Sequence, residues 1–342
     1  MTTTGSGLIP SKKRRWLRGV VYAAALLVCL AVLLAGLGAA YQWIEGVRDR
    51  RANPAPGKMV DVGGFRMHLY CVGQGSPTVI LDSGLSDTWL VWYKVQPQVA
   101  QFTRVCSYDR AGLGWSDPSP RPRTSQVIAK ELHALLKKAN VAPPFVMVGH
   151  SMGGLDVRMY TSLYPSDVVG MVLVDSVHPE QNQRLAITGN PWLEFMRRQK
   201  RLMPFGIPRL LGWCGQGMEE VQPAFRSVDC TVKQKQGWLA ETDSVDESSR
   251  QVSAIGTLGD MPLVVISHDP EGKHTGIGQQ ISEQRKSYEA SWAQMQEELA
   301  RLSSRGSRFI AQGSGHRIHI ERPDLVIGAI RDVVSQRGTV QK

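Results

Sequence analysis

One hydroxyl lies between two glycines in the stretch Gly149-His150-Ser151-Met152-Gly153, and its flanks make it a candidate nucleophile. The residues before it, PFVMVGH, read as a short buried strand, and GGLDVRMYTSLYP after it reads as a helix stopped near Pro165. G-x-S-x-G between a strand and a helix demands a turn so tight that the serine is strained and its oxygen projects. Bulk at position 149 or 153 would strike the strand or the helix, which is why glycine serves at both. Ser151 then stands at a helix N-terminus, where free N–H groups and the helix dipole favour developing negative charge. The Met152 N–H is one candidate oxyanion donor. Outside such a strand–helix context, the same residues would make an ordinary Gly/Ser turn.

A serine hydroxyl needs a base. In AQGSGHRIHIERPDLV, His316 follows a strand and a Gly-rich turn and precedes the last helix. His319, two residues on, is the competitor and points the other way if the segment is extended. His150, His178 and His268 read as local polar residues. A second oxyanion donor is expected from the loop after the third strand, LDSGLSDTW, where the Leu85 N–H follows Gly84 and where Asp82 and Ser83 line the turn.

The elements that must hold these groups follow from the pattern of apolar residues. A hairpin is predicted around Gly63-Gly64, then strands in SPTVILDSG and TRVCSYDR, an amphipathic helix in SQVIAKELHALLKKAN, and a buried strand in VVGMVLVDS. From His178 to Asp260 no buried strand is evident, and MPLVVISH, SRFIAQGSG and the helix PDLVIGAIRDVV then resume the pattern. Strands alternating with helices predict a mostly parallel sheet covered on both faces. The division is a core over 58–177, an insertion over 178–260, and a second core part over 261–338.

Net charge is +10, and residues 1–57 carry eight Lys/Arg against Glu45 and Asp49, a surplus of six. That charge flanks one apolar segment: Gly19 to Ile44 has no charged residue over 26 positions, enough to span a bilayer, with Trp16, Tyr41 and Trp43 at its ends. The basic balance therefore points to a membrane surface, not to nucleic acid, for which no recognition motif is present. A basic tail (1–18), a transmembrane helix (19–44) and a Pro/Gly-containing linker (45–57) are expected. The rival reading is a cleaved signal peptide ending near Gly38-Ala39-Ala40, for which the apolar stretch is long. Five basic residues precede the span, so the N-terminus is expected in the cytoplasm and the rest outside. Cys29 lies in the span, and Cys71, Cys106, Cys214 and Cys230 are either buried thiols or disulfides, which an extracytoplasmic location permits.

Three motifs together resemble those of the α/β-hydrolase superfamily, over roughly residues 58–338: YDRAGLGWSD (108–117) is similar to its D-x-R-G-x-G-x-S loop, GHSMGG to its nucleophile turn, and GSGHRIHIERP to its histidine loop. The resemblance implies an eight-stranded, mostly parallel sheet, a helical cap inserted after the sixth strand, and a Ser–acid–His triad with Ser151 and His316 in it. The family's usual His-Gly before the oxyanion residue is Ser83-Gly84 here. For the acid, the commonest family seat falls at Glu271, with Asp269 nearby, while a seat at the end of the sixth strand falls at Asp175, which is favoured. The family also places Cys71 and Cys106 on neighbouring strands, where a disulfide is conceivable, and Cys214–Cys230 within the cap.

In the cap, 184–209 is basic (six Arg/Lys against Glu194) and rich in aromatic residues, while 219–260 is acidic. That basic stretch suits either a membrane surface or a solvated face of a helix that covers a pocket with its apolar side. The favoured expectation is a serine hydrolase of esters or related acyl compounds, hydrophobic in character, needing no metal and no organic cofactor. Peptidase, thioesterase and perhydrolase chemistry stay open. The other class is a membrane-anchored binding or signalling protein that keeps the fold without turnover.

Overall fold

A computed structural model describes residues 11–186, 191–271 and 282–336. Residues 1–10 of the basic tail, 187–190 of the insertion, and 272–281 and 337–338 of the second core part lie outside the described residues. The strands are β1 (Lys58–Asp61), β2 (Arg66–Val72), β3 (Thr78–Asp82), β4 (Val105–Tyr108), β5 (Phe145–His150), β6 (Val168–Val174), β7 (Leu263–His268) and β8 (Gly306–Ala311). They form one sheet in the order β1-β2-β4-β3-β5-β6-β7-β8. The β1/β2 and β2/β4 pairs are antiparallel and all others parallel.

The central strands are apolar throughout because both faces are covered. Ile80, Met147, Leu173 and Val265 point to one face, where the helices Ser125–Lys138 and Gly153–Leu163 bring Leu132, Leu135, Leu155 and Tyr160. Their neighbours Val79, Val148, Val172 and Ile266 point to the other, against Trp92 and the Val326, Ile330 and Val333 of the helix Pro323–Ser335. Side chains of alternate parity thus fill two cores, as strand geometry requires. Parallel strands carry all their C-terminal ends to one edge, so the loops after β3, β5, β6, β7 and β8 meet there. Cys71 and Cys106 are cross-strand partners on β2 and β4 and form a disulfide.

Between β6 and β7 the described chain is helical, with Pro191–Leu202, Gln222–Asp229, Val232–Asp243 and Val245–Ser253 the longer pieces. A second disulfide, Cys214–Cys230, closes this insertion. One buried cation ties it to the core. Arg110, in the loop after β4, donates from Nε and Nη2 to Glu241 of the insertion (2.6 and 2.9 Å) and from Nη1 to Asp82 at the end of β3 (2.8 Å). It also donates to the carbonyls of Ser83 and Gly84, both at 2.6 Å. Tyr108 completes the cluster by donating to the other Asp82 oxygen at 2.6 Å.

The N-terminal helix, Ser11–Ala52, is long and apolar enough to cross a membrane, and none of its most apolar window is buried in the protein. Its C-terminal half meets the insertion: the Gln42 amide donates to the Cys230 carbonyl at 2.9 Å, and Arg209 pairs with Asp49 at 2.5 Å.

Removing one partner of a buried ion pair leaves an uncompensated charge. Arg110→Ala, which strands both Asp82 and Glu241, is therefore expected to lower the unfolding free energy by about 3–5 kcal/mol in chemical denaturation of the full chain. A change below about 1 kcal/mol, the size of an exposed pair, would show that the cluster does not tie insertion to core.

Candidate active site

The turn after β5 is built as its sequence requires. Ser151 has φ 52°, in the left-handed region that costs a residue with a side chain strain. Its N–H continues the sheet by donating to the Val174 carbonyl of β6 at 3.1 Å. A Cβ at position 149 would meet the backbone of Gly153 and Gly154, and one at 153 would meet the carbonyls of Asp82 and Ser83. The two glycines therefore let the helix Gly153–Leu163 start directly against β5 and the loop after β3.

One strand over, Asp175 ends β6 with φ 43° and donates its N–H to the Ile266 carbonyl of β7 at 2.7 Å. His316 reaches in from the loop after β8. Its Nδ1–H donates to Asp175 Oδ2 at 2.6 Å, which leaves Nε2 free to accept from the Ser151 hydroxyl at 3.0 Å. The Asp175 side chain is fully buried, whereas the His316 side chain is 45% exposed. The relay runs from a buried carboxylate to a half-exposed imidazole.

The other candidates are placed elsewhere. Asp269 accepts from the Glu271 N–H (3.0 Å) and the Gly313 N–H (2.8 Å), bracing the loop ends after β7 and β8. Glu271 is exposed. His319 lies in a helical turn, Ile318–Glu321, and not in an extended segment, so it packs between Trp92 and His150 instead of reaching Ser151. His150 Nε2–H donates to the His316 carbonyl at 3.0 Å, and burial, with His316 nearby, holds its pKa well below the usual value. A neutral His150 is thus a support for the His316 loop. His178 lies 3.4 Å from Glu298.

Asp175 has more partners than the sequence announced. Oδ1 accepts from the His268 main-chain N–H (3.0 Å) and the Trp292 indole N–H (2.9 Å). The His268 ring Nδ1–H lies 2.9 Å from both carboxylate oxygens, and its Nε2–H donates to Glu289 at 2.8 Å. Burial would push the Asp175 pKa up, yet the hydrogen bonds from His268 and His316 outweigh it and hold the carboxyl below the usual range. Burial pulls His268 down, but its bonds to Asp175 and Glu289 win, and its pKa is pushed up to about 10. At neutral pH an imidazolium therefore lies against the ionised Asp175.

Glu289 and Trp292 come from the helix Ser282–Ala300, together with Gln296, whose amide donates to the Ser176 carbonyl at 2.7 Å. Their i, i+3, i+7 spacing places them on one helix face. That spacing was the available signal, but it did not say what the face meets.

The two candidate oxyanion donors are aimed by what their peptide carbonyls do. In a trans peptide C=O and N–H point in opposite directions. The Gly84 carbonyl accepts from Arg110, so the Leu85 N–H faces away from that cation. The Ser151 carbonyl accepts from the Gly154 and Val177 N–H groups, so the Met152 N–H faces away from them. Neither Leu85 N–H nor Met152 N–H donates a hydrogen bond among the described residues.

Comparison with known proteins agrees with this architecture. A family model for the alpha/beta hydrolase fold matches residues 77–256. An AB hydrolase superfamily protein of Gibberella zeae is 26% identical over 290 residues, covering 75% of this chain and 86% of that protein. A probable hydrolytic enzyme of Pseudomonas aeruginosa PAO1 superposes with a TM-score of 0.63 at 21% identity, over 82% of this chain and 95% of that one. A thermophilic esterase of Thermogutta terrifontis gives 0.59 at 19%, over 82% and 97%. At these identities the two structures establish the shared fold.

The raised pKa of His268 gives a pH signature. A group whose folded pKa exceeds its unfolded value of about 6.5 stabilises fully below that value and loses its contribution as pH rises toward the folded one, here about 10. The stability advantage of wild type over His268→Gln is therefore expected to be largest near pH 6 and to shrink steadily toward pH 10 in denaturant titrations. A difference independent of pH would mean that His268 packs there without charge.

Proposed function

The chain belongs to the α/β-hydrolase family, and from that premise we propose that it is a serine hydrolase acting on esters or related acyl compounds. The observation that carries the reading is the unbroken relay from the Ser151 hydroxyl through His316 to Asp175, at 3.0 and 2.6 Å. Ser151 Oγ attacks the acyl carbonyl while His316 Nε2 takes its proton. The carbonyl oxygen becomes an oxyanion between the Leu85 and Met152 N–H groups. The imidazolium hands its proton to the departing alkoxide, and an acyl-serine remains. Water then attacks that ester with His316 again as base, releasing the carboxylic acid and restoring the hydroxyl.

Asp175 supports this cycle in two ways. Its bond to Nδ1–H fixes the tautomer that leaves Nε2 able to accept a proton, and its charge stabilises the imidazolium that forms. Because its pKa is held low, it stays ionised throughout. The insertion over β6–β7 serves as a cap, and its apolar residues suit hydrophobic acyl groups. The N-terminal helix anchors the protein in a membrane as a single span, N-terminus cytoplasmic and catalytic domain outside. The two disulfides fit an oxidising compartment.

A p-nitrophenyl ester chain-length series on the full chain in detergent tests the reading. Ser151→Ala is expected to abolish turnover, and Asp175→Asn to lower kcat by roughly four orders of magnitude. Glu271→Gln should leave kcat within about twofold, as a distant surface change does. If Asp175→Asn keeps near-normal kcat while Glu271→Gln loses it, the acid is misassigned; if Ser151→Ala keeps the activity, the nucleophile is.

A further inference from the structure

We propose that the cap segment Met203–Leu211 is a second membrane-contacting element, seated in the leaflet beside the N-terminal helix, with the acyl chains of bilayer lipids filling the groove between them. This rests on reading that helix as a membrane span.

The contact sits at a telling depth. The Phe205 backbone lies directly on Gly38, where a Cβ would collide with the Phe205 carbonyl, and a Cβ on Gly206 would press on Tyr41. Gly206 has φ 69°, so glycine there permits both the turn and the close approach. Both helix positions fall within the uncharged run Gly19–Ile44. The cap segment therefore crosses the helix short of the level where that run ends, inside the segment that needs lipid around it.

The surfaces on either side of this crossing differ in polarity as a bilayer does. Toward the helix N-terminus runs an apolar groove of about 670 Å3, between Leu34, Gly38 and Tyr41 on the helix and Phe205, Ile207 and Leu210 on the cap. At 1.5 Å per residue, Leu34 lies about 10 Å deeper than Tyr41, well within a hydrocarbon core of about 30 Å. Toward the helix C-terminus a smaller groove of about 280 Å3 is mixed, with Gln42, Arg50 and Thr231 beside Trp43, Pro204 and Val232. Apolar below, and a mixed lining with an aromatic and a cation above, is the order of hydrocarbon and interface.

Exposure singles out the same segment. Outside the N-terminal helix, the large apolar side chains exposed among the described residues are Trp192, Phe205, Leu210, Leu211 and Tyr288. Three of these five fall within seven positions, with Leu210 65% and Leu211 56% exposed. Water makes such a cluster costly, whereas lipid does not. The helix just before it, Pro191–Leu202, exposes Arg198 and Arg201, as well as Arg197, which pairs with Glu194; exposed cations of this kind are what anionic headgroups attract. Arg209, inside the segment, is neutralised by Asp49.

Site-directed spin labelling of the full chain in phosphatidylcholine/phosphatidylglycerol nanodiscs tests this. In a Cys29→Ser background, nitroxides are placed singly through Leu33→Cys, Leu210→Cys and, as a water reference, Lys137→Cys. Collision with oxygen and with a water-soluble nickel chelate is then measured. The expected result is that Leu210 matches Leu33, with loss of nickel access and high oxygen access, while Lys137 shows the reverse. If Leu33 is lipid-like and Leu210 matches Lys137, the cap segment stands in water and this inference alone falls. If both match Lys137, the helix does not span and both readings fall. A Leu210 label shielded from both reagents would mean that protein, such as a second copy of the chain, covers the patch, which overturns lipid contact.

Discussion

The carboxylate of Asp175 is the point on which the site depends. It is fully buried, so it must be matched by donors or its charge would be prohibitive. Three elements supply them: the His268 main chain and ring at the end of β7, the Trp292 indole from the helix Ser282–Ala300, and the His316 ring after β8. Remove the carboxylate and these donors lose a common acceptor. Keep it, and each donor's position is set relative to the others, including the ring that faces Ser151.

The scaffold makes that convergence possible by leaving little freedom at the sheet edge. Ser151 and Asp175 both hold left-handed backbone angles, and both still donate their N–H to the neighbouring strand. Each side chain is thereby projected beyond the last regular pair of its strand. Arg110 organises the opposite flank. Its guanidinium binds the end of β3, the carbonyl of Gly84 and an acid from the insertion, so one buried cation orients the Leu85 peptide and the insertion together. His268 adds a buried positive charge behind Asp175, balanced by Glu289. The arrangement keeps Asp175 ionised.

What the sequence revealed and what it hid follow from how local each feature is. The turn around Ser151 is dictated by five consecutive residues, and a mostly parallel sheet follows from apolar runs and turns, so these were legible, whereas the eight-stranded count rested on the family resemblance and the strand order needed the structure. His316 was legible from its own loop, with His319 set aside only once the segment proved helical. The acid was not decidable, because Asp175 and Glu271 each stood at a plausible strand end. Their difference lies in through-space partners, above all Trp292 and Glu289, on a helix with no motif of its own. His268 read only as a local polar residue, because its partners Asp175 and Glu289 are remote in sequence. Arg110 and Glu241 are separated by 131 positions, and nothing local to either announces the pair. The cysteine pairings had the same character: Cys71 and Cys106 are separated by 35 residues and become neighbours only through the β2/β4 register.

A strained alcohol within 3.0 Å of an imidazole, itself braced by a buried carboxylate, is a nucleophile waiting for an acyl group. A fluorophosphonate reacts with a serine only when a base activates its hydroxyl. Mass spectrometry of the folded full chain after such labelling is the direct measurement. One phosphonyl adduct is expected, on the peptide bearing Ser151, absent from Ser151→Ala and strongly reduced in His316→Gln. Folded protein that takes up no adduct at Ser151 would contradict that activation.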